Sequence, residues 1–122
     1  MHPEAFVDRL HVEISGPDDG PAVLLLHGWG SNARLMAPIA AALSDRYRVV
    51  NIDLPGHGLT PPPPAPWGVA EHAALIAHLI RTRIGRPVVL IGHSNGGRIG
   101  LYLAGEPEGA TLLRALVLIS PS

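Results

Sequence analysis

Cysteine is absent from this chain of 122 residues, which excludes disulfides, thiol redox chemistry and thiolate metal sites together. Net charge is nearly absent as well: −1 at neutral pH leaves no electrostatic footprint for nucleic acid or an anionic lipid surface. Long apolar runs are missing too, although 47% of the residues are hydrophobic. Blocks such as Val23 to Leu26 and Leu116 to Ile119 fall far short of the roughly 18 residues of a membrane span. The start, Met1-His2-Pro3-Glu4, has neither the basic stretch nor the apolar core of a signal peptide, so a cytoplasmic setting is expected. Small molecules are the expected partners, with no cofactor or metal called for, and the length fits one core and one domain. Nothing in the sequence specifies an oligomeric state.

What is present is a set of short apolar blocks separated by turn signals. From Phe6 to Ile14 the apolar residues partly alternate, and the turn-rich Gly16 to Pro21 follows, so one or two short strands are expected here. Val23 to Leu26 is continuously aliphatic and ends in His27-Gly28, the pattern of a strand buried on both faces of a parallel sheet. Ser31 is placed to cap a helix whose Leu35, Ile39 and Leu43 form one stripe. Arg48 to Asp53 reads as the next strand. Leu54 to Pro66, with Pro55, Pro61 to Pro64 and Pro66, reads as a loop stiffened by proline. Val69, Ala73, Ile76 and Ile80 mark a second helix, ending near Gly85 ahead of Pro87. Val88 to Ile91 is a third buried strand, Asn95 to Gly105 a glycine-rich helix, and Ala115 to Ser120 a fourth buried strand. Alternating strands and helices imply right-handed crossovers, hence the α/β class with a mostly parallel sheet covered on both faces.

Two of the junctions carry chemistry. Gly92-His93-Ser94-Asn95-Gly96 fits G-x-S-x-G between a strand and a helix, where a serine on a tight, strained turn needs small neighbours. The dipole of the following helix favours negative charge developing beside Ser94. His27-Gly28-Trp29-Gly30 lies at the carboxyl end of an earlier strand, and neighbouring parallel strands deliver such loops to one edge. The backbone N–H groups of Trp29 and Asn95 are therefore candidate oxyanion donors. His27 reads as a structural histidine of the loop.

These motifs, with Asp53-Leu54-Pro55-Gly56-His57-Gly58 between them, resemble in order and spacing the α/β-hydrolase superfamily, especially esterase-like and lipase-like members with a serine nucleophile. The resemblance spans nearly the whole chain. It implies Ser94 as nucleophile, Trp29 and Asn95 as oxyanion donors, and a structural role for the loop from Asp53 to Gly58. An activated serine with an oxyanion hole is built for acyl transfer, so an ester-like small-molecule substrate is expected, with amides, thioesters and carbon–carbon bonds next to a ketone left open.

One departure from the family pattern is large. There the acid and then the histidine follow the serine along the chain, whereas here Glu106 and Glu108 follow Ser94 and no histidine does. Both glutamates fall where the helix after Ser94 should end, far from the site, and read as solvated charges. His57 is on a loop at the correct edge, but the resemblance makes it structural. His72 and His78 are six apart on one helix and do not share a face, so they make no metal site. Residues 1–122 are therefore expected to be a partial α/β-hydrolase domain lacking the cap, the last strands and the catalytic acid and base. Alone it is expected to be nearly inactive.

Two other readings compete. Gly28-Trp29-Gly30-Ser31-Asn32-Ala33 fits G-x-G-x-x-G/A, with Asp53 about 20 residues further on, the spacing of an NAD-dependent oxidoreductase. Trp29 would crowd the pyrophosphate there. The other reading is a truncated hydrolase-like fold that binds a partner or has no catalytic function.

Overall fold

The computed structural model describes residues 2–120; Met1, Pro121 and Ser122 lie outside that description. Five strands, β1 (Val12–Ser15), β2 (Ala22–Leu26), β3 (Arg48–Ile52), β4 (Val88–His93) and β5 (Leu113–Ile119), form one sheet in the order β1-β3-β2-β4-β5. Only β1 runs antiparallel to its neighbour, and the other pairings are parallel. This is the mostly parallel α/β sheet that the alternation of elements implied.

Right-handed crossovers decide which face each helix covers. The chain leaves β2 for β3 through α1 (Ala37–Leu43). It then turns back past β2 to β4 through α2 (Val69–Leu79) and reaches β5 through α3 (Asn95–Gly105) and the single turn α4 (Gly109–Leu112). That reversal puts α1 on one face and α2 and α3 on the other. Successive side chains of β2 accordingly point into different cores. Leu24 and Leu26 join Val50, Ile52 and Leu90 under Leu75, Ile76, Ile99 and Leu103, while Val23 and Leu25 meet Val49, Met36, Ile39 and Leu43. Both faces being covered explains why β2 is aliphatic at every position. The reversal of strand order between β2 and β4 also opens a crevice at their carboxyl ends, where ligands of such sheets bind.

Several elements depart from expectation. Pro3–Arg9 is a 3₁₀ stretch, so only β1 is a strand in the Phe6 to Ile14 region. Phe6 and Val7 are adjacent and both buried, which a strand with one covered face does not allow. Phe6 meets Trp67 edge to face at 5.3 Å between ring centroids. Asn32, not Ser31, caps the next segment, its Oδ1 accepting the Arg34 N–H at 2.9 Å. A 3₁₀ turn, Ala33–Met36, precedes α1 and leaves Leu35 56% exposed, so the stripe begins at Met36. Pro38 in the first turn of α1 explains the break, because proline lacks the N–H that a continuous helix needs. Helix α2 runs on through a π turn to Ile84 and stops at Gly85, whose φ of 77° is left-handed. Nothing in the sequence signals α4, and β5 starts two residues earlier than expected, at Leu113, with none of its residues fully buried where a buried strand was expected, because it lies at the edge of the sheet. Among the described residues no helix is long and apolar enough to cross a membrane.

Candidate active site

Ser94 stands between β4 and α3 with φ 53° and ψ −114°, a conformation that costs a non-glycine residue about 1–3 kcal/mol. Its neighbours hold it there. The Ser94 N–H donates to the Ile119 carbonyl at 3.0 Å, and the Ser94 carbonyl accepts N–H groups from Gly97 at 2.9 Å and Arg98 at 3.2 Å. Glycine is required on both sides. A Cβ on Gly92 would lie 2.6 Å from the Gly96 carbonyl, and one on Gly96 would overlap the Leu26 carbonyl and approach that of His27 at 2.8 Å. Because α3 starts at Asn95, the Asn95 N–H lies in the first turn, at the positive end of the helix, where N–H groups have no acceptor within the helix.

The loop after β2 meets this turn directly. Gly30 has φ 75°, and Ser31 N–H donates to the Gly28 carbonyl at 3.2 Å, as in a type II turn with glycine at its third position. A Cβ on Gly28 would be 3.1 Å from the Ser94 Cβ and 3.1 Å from His93 Nδ1, so the loop passes against Ser94 itself. Trp29 follows Gly28 and Asn95 follows Ser94. The two candidate N–H groups thus belong to the two backbones that meet at the serine. The Trp29 ring is 74% exposed and rests on His57, with centroids 4.9 Å apart.

Two histidines clamp the turn. His27 Nδ1–H donates to the Gly28 carbonyl at 2.7 Å while Nε2 accepts the Leu54 N–H at 2.9 Å. Only the neutral imidazole can do both. Burial pushes the His27 pKa below the usual histidine value, and the neighbouring His57 pushes the same way. His57 is built alike: Nδ1–H donates to the Pro55 carbonyl at 3.0 Å and Nε2 accepts the Gly30 N–H at 2.9 Å. Both nitrogens being engaged, His57 is not free to act as a base, in keeping with the structural role expected of it.

Asp53 is the knot beneath. Its carboxylate accepts the Ala33 N–H at 2.7 Å and the Leu59 N–H at 3.0 Å, and its carbonyl accepts the Thr60 hydroxyl at 2.7 Å. Gly58 comes so close that a Cβ there would overlap the carboxylate. The oxygen atoms that a dinucleotide ribose would need are taken up by the protein's own amides.

The glutamates that follow Ser94 and the other histidine and carboxylate pair lie away from it. Helix α3 carries the chain about 16 Å from the site at 1.5 Å per residue, and beyond its end Glu108 pairs with Arg81 at 2.7 Å. His72 donates Nδ1–H to the Gly68 carbonyl at 2.8 Å. His11 and Glu13 form a pair at 2.9 Å that the sequence reading did not single out. Glu13 is on β1 and His11 just precedes it, three strand spacings of about 4.8 Å from β4. His93 Nδ1 is buried with no hydrogen-bond partner. Among the described residues, no histidine and carboxylate pair lies at Ser94.

With this geometry in place, comparison with known proteins is direct. The family described as alpha/beta hydrolase fold matches residues 21–122. The 2-(acetamidomethylene)succinate hydrolase of Mesorhizobium japonicum is 33% identical over 114 residues, covering 93% of this chain and 40% of that protein. The pimeloyl-[acyl-carrier protein] methyl ester esterase of Methylococcus capsulatus is 35% identical over 112 residues, covering 92% of this chain and 41% of that protein. Among solved structures, a hydrolase from Pseudomonas aeruginosa PA01 superposes with a TM-score of 0.82 at 27% identity, covering 89% of this chain and 40% of that one. The chain spans about 40% of the length of these relatives. Sheet order, the turn at Ser94 and the sequence match agree, and the chain belongs to the α/β-hydrolase fold family.

Proposed function

We propose that this chain carries the nucleophile and oxyanion hole of a serine hydrolase acting on carboxylic esters. The observation behind it is the strained turn at Ser94 with the Gly28 backbone pressed against it. In this reading Ser94 Oγ attacks the ester carbonyl carbon and passes its proton to a histidine. The negative oxygen accepts the N–H groups of Trp29 and Asn95. Collapse expels the alcohol, which takes up that proton, and water repeats the sequence on the acyl-enzyme to release the acid. This reading requires a histidine with a carboxylate partner beside Ser94, which the described residues do not place there, and a cap to set the substrate. An oxyanion hole without them supports an acceleration of only about 10³ to 10⁴ over water, so the chain alone is nearly inactive.

The test is complementation with a C-terminal segment of a related hydrolase carrying the later strands, acid and histidine. Turnover of a p-nitrophenyl ester should appear and fall by about 10³-fold or more in Ser94→Ala. Trp29→Pro is a sharper probe when set beside Trp29→Ala: both remove the indole that rests on His57, but only proline, which suits the second position of a type II turn, also removes the N–H, so kcat should drop about 10²-fold in Trp29→Pro relative to Trp29→Ala. Turnover that survives Ser94→Ala would refute the assignment. The lack of a histidine and carboxylate pair at Ser94 among the described residues favours, as second reading, a non-catalytic fold, which predicts no turnover in any complemented form.

A further inference from the structure

We infer that His57 is a positioning residue for the oxyanion loop, its neutral imidazole holding the Gly30 N–H and releasing the Trp29 turn when that acceptor is protonated. The inference rests on the hydrolase reading above for its catalytic consequence, though not for its structural one.

The turn from Gly28 to Ser31 is held at both ends by imidazoles of the same tautomer. His27 Nδ1–H holds the Gly28 carbonyl, and His57 Nε2 holds the Gly30 N–H. The Nδ1 proton of His57 is committed to the Pro55 carbonyl, which leaves the Nε2 lone pair as the acceptor. The turn's own closing bond, Ser31 N–H to the Gly28 carbonyl, is long at 3.2 Å. Protonating His57 places a hydrogen on Nε2 directly opposite the Gly30 N–H, and two donors then face each other. The peptide between Trp29 and Gly30 loses its outer anchor, and with it the orientation of the preceding Trp29 N–H.

The two clamps differ in their access to protons. His27 is fully buried, whereas His57 is half-buried and lines a cavity of about 730 Å³ together with Trp29, Pro63, Trp67 and His72. Titratable groups near His57 come from three elements. His27, at the end of β2, lies 5.0 Å away between ring centroids. Asp53, at the end of β3, has both carboxylate oxygens on amides, and His72 of α2 faces the same cavity. Burial pushes the His27 pKa down, and His27 does not line the cavity, which leaves His57 and His72 as the imidazoles on its wall.

The experiment follows the Gly30 amide and the His57 ring nitrogens by ¹⁵N NMR while pH is lowered from about 8 to about 5, the range in which histidines titrate. Above the transition His57 should show a protonated Nδ1 and an unprotonated Nε2. As it titrates, the Gly30 protection factor should fall about tenfold, the equivalent of one hydrogen bond. His57→Gln keeps an acceptor that does not titrate, so Gly30 should stay protected throughout; His57→Phe keeps the ring packing without the acceptor, so protection should be lost at every pH. The transition should persist in His72→Gln. In the complemented protein at about pH 8, His57→Phe should lower kcat about tenfold with KM within about twofold, and His57→Gln should restore it. Gly30 protection that ignores His57 titration, or survives in His57→Phe, overturns the inference. Unchanged kcat in His57→Phe overturns its catalytic half. Gly30 behaving as described with no turnover in any form would refute the hydrolase reading and leave the His57 clamp standing.

Discussion

Alanine substitution along α3 should change stability in opposite directions depending on what lies beneath each glycine. Every Gly→Ala change in a helix gains about 1 kcal/mol of backbone propensity. At Gly105 a Cβ meets nothing within 4 Å, so that gain should appear nearly whole, about 0.5–1 kcal/mol. At Gly100 the new methyl would lie 2.7 Å from Leu116 Cδ1 and 3.0 Å from Leu90 Cδ2. Those are the far ends of side chains, and rotamer shifts should bring the net change to a loss of about 1 kcal/mol. At Gly96 the obstacle is backbone: the methyl would overlap the Leu26 carbonyl and approach the His27 carbonyl at 2.8 Å. Relief there requires moving α3 off the end of β2. Overpacking of about 3 kcal/mol against a propensity gain of about 1 leaves a net loss of about 2 kcal/mol or more. Urea unfolding of the four proteins, followed by circular dichroism, should rank them Gly105→Ala, wild type, Gly100→Ala, Gly96→Ala, with thermal midpoints separated by about 3–5 °C per kcal/mol. A Gly96→Ala protein as stable as wild type would refute the claim that backbone contact between α3 and β2 requires glycine there.

Three further outcomes follow from the same structure. His27 has its pKa lowered by folding, so its contribution to stability is complete above the unfolded value of about 6.5 and is lost as pH falls toward the folded value; urea midpoints should decline over that range and decline less in His27→Gln. Asp53→Asn should cost about 2–3 kcal/mol in the same assay, because an amide cannot accept both the Ala33 and Leu59 N–H groups and leaves one donor facing an NH₂. Ser94→Gly should stabilise the chain by about 1 kcal/mol by relieving the φ of 53°, while Ser94→Ala, which keeps the strain, should be within about 0.5 kcal/mol of wild type.

The parts of this fold legible in the sequence are those in which one local rule acts alone. The aliphatic run of β2 could only be a strand covered on both faces, and Gly85 before Pro87 could only end a helix. The tight turn at Ser94 was legible for the same reason, since the small residues at Gly92 and Gly96 mark a crossing that the structure places at contact distance. Elements went astray where two rules compete. Ser31 and Asn32 are both good caps, and Pro38 decides between them by fixing where the regular helix begins. Phe6 and Val7 suit a strand by propensity, yet burying two adjacent side chains under α2 favours a 3₁₀ turn. The bonds of Asp53 and His57 span residues far apart in sequence, and no periodicity announces which backbone amide a side chain will accept.

Those long-range bonds bear most directly on function. The strain at Ser94 is local and is held by β4, α3 and the end of β5, all within the described residues. Trp29 is different: it sits on a turn whose glycine has open space around it and whose ring is mostly exposed, so packing alone does not fix it. In the proposed function Trp29 is an oxyanion donor, and such a donor must hold its direction within a few tenths of an ångström to be useful. Here that direction comes from two imidazoles and, beneath them, from the Asp53 carboxylate tying the neighbouring segments together. Rigidity of the serine and rigidity of the loop therefore have separate physical sources. Ser94→Gly should gain stability while removing the hydroxyl proposed as nucleophile. His57→Phe should leave the Ser94 turn in place while loosening the loop that faces it, which makes the two halves of the site separable by mutation.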